Sequence, residues 1–172
     1  MMNPKKNAFT LMELLVVIAI IGILAGLLFP AVNGAMDSAR KAQCKNDVVQ
    51  IATAITAYET EYGKMPPGGA SQVNAALVNI LTGQDAANNP RKIVFLEVGA
   101  RKPTNAPVGK GGKSGTNSSG NFVDAWGRDY NVAMDTNYTG TISAGNPPVS
   151  LRKKVGVWNV TTNTRQYVTS WD

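Results

Sequence analysis

The chain has 172 residues, 17 basic and 11 acidic side chains, no histidine and one cysteine, Cys44. The missing histidine removes the commonest general base and metal ligand, so Ser–His and Cys–His catalysis are excluded and no enzyme is expected. A lone cysteine closes no intramolecular disulfide, and a net charge of +6 spread along the chain reads as a solvated surface rather than a nucleic-acid footprint.

Residues 1–8 are short and polar and include Lys5 and Lys6. An apolar segment follows, residues 9–29, 21 residues in all. As a helix rising about 1.5 Å per residue it spans roughly 30 Å, the hydrocarbon thickness of a bilayer. The lysines ahead of it favour a cytoplasmic N-terminus. An ordinary secretory signal peptide has the same outline, with cleavage near Val32-Asn33-Gly34. Glu13 speaks against that reading. An acid inside a membrane helix costs about 2.5–3.5 kcal/mol on insertion scales, and a discarded segment has no use for it. A segment that later pairs the carboxylate with a cation does. Gly22 and Gly26 form a small-xxx-small pair that permits close helix approach, although glycine is also simply frequent in such helices. Gly22 and Pro30 weaken the hydrogen-bond ladder between them.

Read together, Ala8-Phe-Thr-Leu-Met-Glu13, the apolar run, Gly22 and Pro30 resemble the N-terminal methylation motif of type IV pilins and type II secretion pseudopilins. The resemblance implies that a prepilin peptidase cuts between Ala8 and Phe9 and N-methylates Phe9. Glu13 then becomes the fifth residue of the mature chain, and Pro30 falls at the family's proline. Ala8 stands where the family has glycine, which puts the rate of cleavage in question. The implied protein crosses the bacterial inner membrane once, with its C-terminal domain in the periplasm. It assembles with copies of itself into a helical filament. The other implied partners are an inner-membrane assembly platform, minor pseudopilins and membrane lipid. Cleavage would free an α-amine in apolar surroundings, which Glu13 of a neighbouring subunit would neutralise. The same pairing within one chain is open, since residues 9 and 13 lie one helical turn apart.

After Pro30 the helical pattern turns amphipathic. Cys44, Val48, Ile51, Ile55, Tyr58 and Tyr62 recur at three- and four-residue steps, with Asp37, Arg40, Lys41, Lys45, Asp47 and Glu59 largely off the stripe. Cys44 on this stripe reads as a small buried hydrophobe. Gly63 and Pro66-Pro67 stop the helix, which is therefore expected from about residue 9 to 62. A second helix is expected over 71–82, capped by Ser71 and ended by Gly83. Residues 93–96 are a short apolar segment. Residues 103–120 read as an exposed loop. Its neighbourhood holds Lys102, Lys110 and Lys113, which would serve phosphate contact if DNA were a partner; nucleic acid is not expected. Strands are expected at 130–134, 154–160 and 165–171, with turns at 135–140 and 161–164.

The expected architecture is α+β. A long N-terminal helix, transmembrane in its first half, packs on a small C-terminal antiparallel sheet. The domain reading is a cleaved leader at 1–8, a transmembrane and assembly helix at 9–30, and a periplasmic domain at 31–172. Glu61-Tyr-Gly-Lys-Met-Pro66, Asp124-Ala-Trp-Gly-Arg-Asp-Tyr130 and Thr169-Ser-Trp171 resemble passages of major pseudopilins. They favour a type II secretion pseudopilus over a pilus for adhesion, motility or DNA uptake.

Asp135, Asn137 and Thr139 have the alternate spacing of a calcium loop's start, but position twelve is Asn146 rather than glutamate. A glycine turn between strands explains them equally. Major pseudopilins hold calcium in an acidic loop near the C-terminus, and the corresponding residues 161–165 carry no acid. No other cofactor is expected. Asn137-Tyr-Thr139 also fits a glycosylation sequon, but such tripeptides arise often by chance. Gly111-Gly-Lys-Ser114 lacks the first glycine of a phosphate loop, residue 107 being Pro107, and is set aside.

Overall fold

The computed structural model describes residues 10–67, 71–99, 112–161 and 163–172. The elements run α1 (Leu11–Tyr62), α2 (Ala75–Leu81), β1 (Gly115–Thr116), β2 (Phe122–Val123), β3 (Tyr130–Met134), β4 (Ile142–Ala144), β5 (Val149–Leu151) and β6 (Val155–Asn159). The expected α+β class holds. The chain divides into two units, Met1–Ser38 and Ala39–Asp172, and α1 runs through the boundary.

Over residues 14–29 of the first unit α1 is apolar all round. Its large side chains are exposed from Leu11, at 88%, to Phe29, at 71%. A helix of that kind belongs in lipid or against other helices. It passes positions 22, 26 and 30 unbroken.

In the second unit the helix packs a core. Cys44, Val48, Ile51, Ile55 and Tyr58 are fully buried, and Tyr62 packs at the edge of the same cluster. Asp47 and Glu59, expected off this stripe, are buried as well. Each flanks the apolar face and finds a partner there. Tyr130 Oη donates to Asp47 Oδ2 at 2.8 Å, and Lys154 Nζ donates to Glu59 Oε1 at 2.8 Å. Gly63 closes the helix at φ +69°, its N–H donating to the Glu59 carbonyl at 2.8 Å, the left-handed cap that glycine adopts without strain.

α2 begins later than expected. Asn74 caps it instead of Ser71, its Oδ1 accepting from the Leu77 N–H at 3.0 Å. Residues 71–73 join the sheet. The Val132 N–H donates to the Ser71 carbonyl at 3.0 Å, and the Val73 N–H to the Tyr130 carbonyl at 2.8 Å. A first helical turn leaves such amides without intrahelical partners, so the sheet satisfies them better. The apolar segment 93–96 has no regular structure. It is fixed by fully buried Asn89, whose Nδ2 donates to the carbonyls of Ile80 and Ile93 at 2.8 and 2.7 Å. Of the loop expected at 103–120, the described part folds back as β1 on β2; Lys102 and Lys110 lie outside the described residues.

β3 and β6 pair antiparallel, Val132 opposite Val157. Strand alternation splits their side chains between two cores. Tyr130, Val132, Val155 and Val157 join the cluster of α1 and α2. Trp158 belongs to a second cluster with Ile142, Ala144 and Trp171, carried by the β4–β5 hairpin and the C-terminal segment. The strand expected at 165–171 is absent; only Thr169 bridges to Trp158. Two main-chain bonds to β6 remain, from the Ser170 N–H to the Val157 carbonyl at 2.8 Å and from the Asn159 N–H to the Val168 carbonyl at 3.2 Å, and side chains add others. Asn159 Oδ1 accepts from the Val168 N–H at 2.9 Å, and Ser170 Oγ accepts from the Val157 N–H at 3.0 Å.

Gly156 sets how closely the second cluster sits on the sheet. A Cβ there would meet Ile142 Cδ1 at 3.0 Å and both Ala144 Cβ and Trp171 Cζ3 at 3.1 Å. Gly156→Val is expected to destabilise the domain by about 1–3 kcal/mol, the usual cost of overpacking, read as a lower midpoint in thermal melts of the detergent-extracted chain. Burial, with Asp124 adding, pushes the Asp47 carboxyl above the usual carboxylate range, against the hydrogen bonds of Ser114 and Tyr130. A raised acid pKa means that folding disfavours the ionised form. The stability attached to it is whole below the unfolded-state pKa and is lost as pH rises through the folded-state one. Asp47→Asn is therefore expected to raise the melting midpoint more at pH 7 than at pH 4, which paired melts at the two pH values check.

Candidate functional site

The candidate site lies at the N-terminal end of α1. The Thr10 N–H donates to Glu13 Oε2 at 2.9 Å, and Thr10 Oγ1 donates to the same oxygen at 2.8 Å. The Glu13 N–H donates back to Thr10 Oγ1 at 3.3 Å. This is a reciprocal capping box, the Thr-x-x-Glu pattern that supplies partners to amides left open at a helix start. The carboxylate is thus aimed at the helix terminus, among exposed apolar side chains. Both donors converge on Oε2, and among the described residues Oε1 takes none.

Ala8 and Phe9 lie outside the described residues, and so does the side chain of Pro30, although its backbone is helical. Gly22 and Gly26 are exposed, and a Cβ at either would meet nothing within 4 Å. Among the described residues neither position packs against anything. Asp135, Asn137 and Thr139 share the loop between β3 and β4.

Residues 3–29 match the model of the prokaryotic N-terminal methylation motif. Residues 35–77 match a family described as protein of unknown function (DUF1559). Among curated proteins, the chain is 34% identical over 97 residues to the type II secretion system core protein G of Pseudomonas aeruginosa, covering 56% of this chain and 67% of the relative. The chain belongs to this type IV pilin-like family. It is 35% identical over 91 residues to the core protein G of Aeromonas hydrophila, 53% of this chain and 60% of that one. It is 37% identical over 73 residues to the type IV major pilin protein PilE1 of Neisseria gonorrhoeae, 41% of this chain and 42% of the pilin. No solved structure matches. Family membership and the exposed apolar helix together make the N-terminal half of α1 a membrane anchor.

The pseudopilin family implies calcium in the C-terminal loop, and the residues here do not fit it. Residues 161–165 offer no carboxylate, and a guanidinium reaches the loop instead. Arg128 Nη1 donates to Thr161 Oγ1 at 2.7 Å and to Gln166 Oε1 at 3.0 Å. Its Nε donates to Asp124 Oδ2 at 3.0 Å. Asp124 is fully buried, its Oδ1 accepting from the Trp126 and Arg128 N–H groups, both at 2.9 Å. The Arg128 side chain also lies over the Trp126 ring, 4.7 Å from its centroid. At the other loop, Asp135 Oδ1 accepts from the Thr139 N–H at 2.9 Å and Thr139 Oγ1 at 3.1 Å, and Oδ2 from the Gly140 N–H at 2.6 Å. A hydrogen-bonded turn accounts for these residues. Among the described residues no group of three or more acidic or cysteine side chains could hold a metal ion.

Three of these ties are not marked by spacing in the sequence. Thr10 is the first residue of a Thr-x-x-Glu pattern that many helix starts share. Arg128 bonds to residues far along the chain. Lys45, expected off the apolar stripe, donates to the Thr169 carbonyl at 3.0 Å and to the carbonyl of Asp172, tying the C-terminal segment to α1.

Proposed function

We propose that the chain is a non-enzymatic structural subunit of a type II secretion pseudopilus, assembled through its N-terminal helix after a prepilin peptidase cuts between Ala8 and Phe9. The observation that carries this is the start of α1: an apolar helix with every large side chain exposed, and a single carboxylate held at its tip by Thr10. Such a helix is unsatisfied alone. In lipid its apolar surface is matched, and the carboxylate is left to find a cation. The α-amine freed at Phe9 is that cation, from the same chain or from the subunit docking beside it. In this reading the C-terminal domain lies in the periplasm. An inner-membrane platform and minor pseudopilins are the remaining partners, and Gly22 and Gly26 give neighbouring helices room to approach.

The test is the mass of the N-terminal peptide of natively expressed protein extracted from membranes. A chain starting at N-methylated Phe9 is expected. A chain starting near Ala35 would mean an ordinary signal peptide and would overturn assembly through this helix. The likeness to PilE1 keeps a second reading, a type IV pilus subunit. Gene neighbourhood separates the two: secretion-channel genes go with the first, retraction or competence genes with the second.

A further inference from the structure

Three Asn-x-Ser/Thr tripeptides occur in the described residues, starting at Asn117, Asn137 and Asn159. The fold treats them very differently. Asn159 is fully buried and committed, its Nδ2 donating to Asp124 Oδ2 at 3.3 Å and the Gln166 carbonyl at 2.8 Å. Asn117 is half-buried and holds a hairpin turn, its Oδ1 accepting from the N–H groups of Ser119 and Asn121 at 2.9 and 3.0 Å. Asn137 is exposed at the tip of the β3–β4 loop, flanked by exposed Thr136 and Tyr138, and among the described residues its side chain has no partner. Only Asn137 also has an acid two residues before it: Asp135, against Gly115 and Val157 for the other two.

We infer that Asn137 is an acceptor for asparagine-linked glycan in an Asp-x-Asn-x-Thr site. The chemistry asks for three things at this spacing: an accessible amide nitrogen, a hydroxyl two residues on, and, for bacterial transferases, a carboxylate two residues back. In the transfer, Nδ2 of Asn137 bonds to the anomeric carbon of a polyprenyl-diphosphate-linked oligosaccharide. The anomeric C–O bond to the diphosphate breaks, the diphosphate leaves with that electron pair, and the amide nitrogen loses one proton. No oxidant or reductant is needed. The loop also has the right mechanics. Thr139 and Asp135 clasp each other at its base, and the enzyme must open that clasp to read both. Thr139 is exposed, whereas Asp135 is only 5% exposed, and a hydrogen bond to its carboxylate is worth roughly 1.5–3 kcal/mol net. Reading the site therefore costs the local opening of this turn, while the β3–β6 ladder stays closed. Tyr138 sits at φ +54°, a conformation that a tyrosine is relieved to leave. Gly140 borders open space, with nothing within 4 Å of a Cβ placed there.

The inference rests on the periplasmic orientation proposed above, and the experiment separates the two. The full chain, with an Asp-Gln-Asn-Ala-Thr reporter appended to its C-terminus, is expressed in a bacterium carrying a bacterial oligosaccharyltransferase and its lipid-linked oligosaccharide. Trypsin isolates each site: residues 114–128 carry Asn117, residues 129–152 Asn137 and residues 155–165 Asn159. The expected result is one glycan mass on 129–152 and one on the reporter, with the first lost completely in Asn137→Gln and kept in Asn117→Gln. Glycan on the reporter alone, or on 114–128 in place of 129–152, overturns the inference and leaves the orientation standing. Glycan on neither overturns both.

Discussion

Glu13→Ala is expected to leave the chain inserted in the membrane and to stop filament formation. Insertion loses nothing, because removing an acid from an apolar helix lowers its transfer cost by about 2.5–3.5 kcal/mol. On the pairing proposed above, assembly loses the partner of the Phe9 amine. Leaving one member of a buried pair alone costs about 3–5 kcal/mol, roughly a hundredfold or more in each docking equilibrium, and a filament multiplies that over every subunit. The capping box complicates the reading of alanine, since Glu13 also serves Thr10. Glu13→Gln resolves it. Glutamine accepts the same hydrogen bonds in a capping box but carries no charge. If the charge drives docking, Glu13→Gln fails like Glu13→Ala, and Thr10→Ala, which costs the helix about 1 kcal/mol of cap, still forms filaments. Filaments from Glu13→Gln in normal number would reduce Glu13 to a helix cap. The readout is filament count by electron microscopy of sheared cells beside subunit content of the membrane fraction.

What could be read from the sequence depended on how local the physics was. The buried stripe from Cys44 to Tyr58 follows from helical spacing alone, and Gly63 announces its own cap because only glycine takes φ +69° cheaply. β3 was legible as a β-rich run ahead of a turn. Where a distant residue supplies the hydrogen bond, spacing is silent. Ser71 has the chemistry of a helix cap, yet it ends up in a sheet because Val132 lies beside it. Residues 165–171 have strand composition, yet beside two main-chain bonds to β6 the Asn159 and Ser170 side chains take amides that a strand would pair. The site shows the same division. Glu13 is conspicuous as a lone acid in an apolar run. Its tie to Thr10 is a four-residue pattern that any helix start can show, so only the structure singles it out. Arg128 reaches 33 and 38 residues along the chain to Thr161 and Gln166, a distance no local pattern spans.

That reach makes Arg128→Ala the second large effect. The guanidinium joins the turn between β2 and β3 to the loop after β6, and fully buried Asp124 depends on it for charge balance. With Arg128 gone, Asp124 keeps the backbone amides of residues 126 and 128 and the Asn159 amide but loses its counter-charge. Breaking such a buried pair costs about 3–5 kcal/mol. The retained amides place this case near 3 kcal/mol, roughly a 10 °C fall in melting midpoint for a domain of this size. Arg128→Lys is expected to recover little, because an ammonium cannot reach Asp124, Thr161 and Gln166 with one planar fork. The same geometry predicts the response to metal. Calcium would need carboxylates in the loop, and residues 161–165 have none, so a fixed cation from the chain itself does the bridging. Thermal melts of the detergent-extracted chain are expected to be the same with chelator and with millimolar calcium, and added calcium is expected not to rescue Arg128→Ala. A fall in the wild-type midpoint on chelation would show that a metal, and not Arg128, holds the loop.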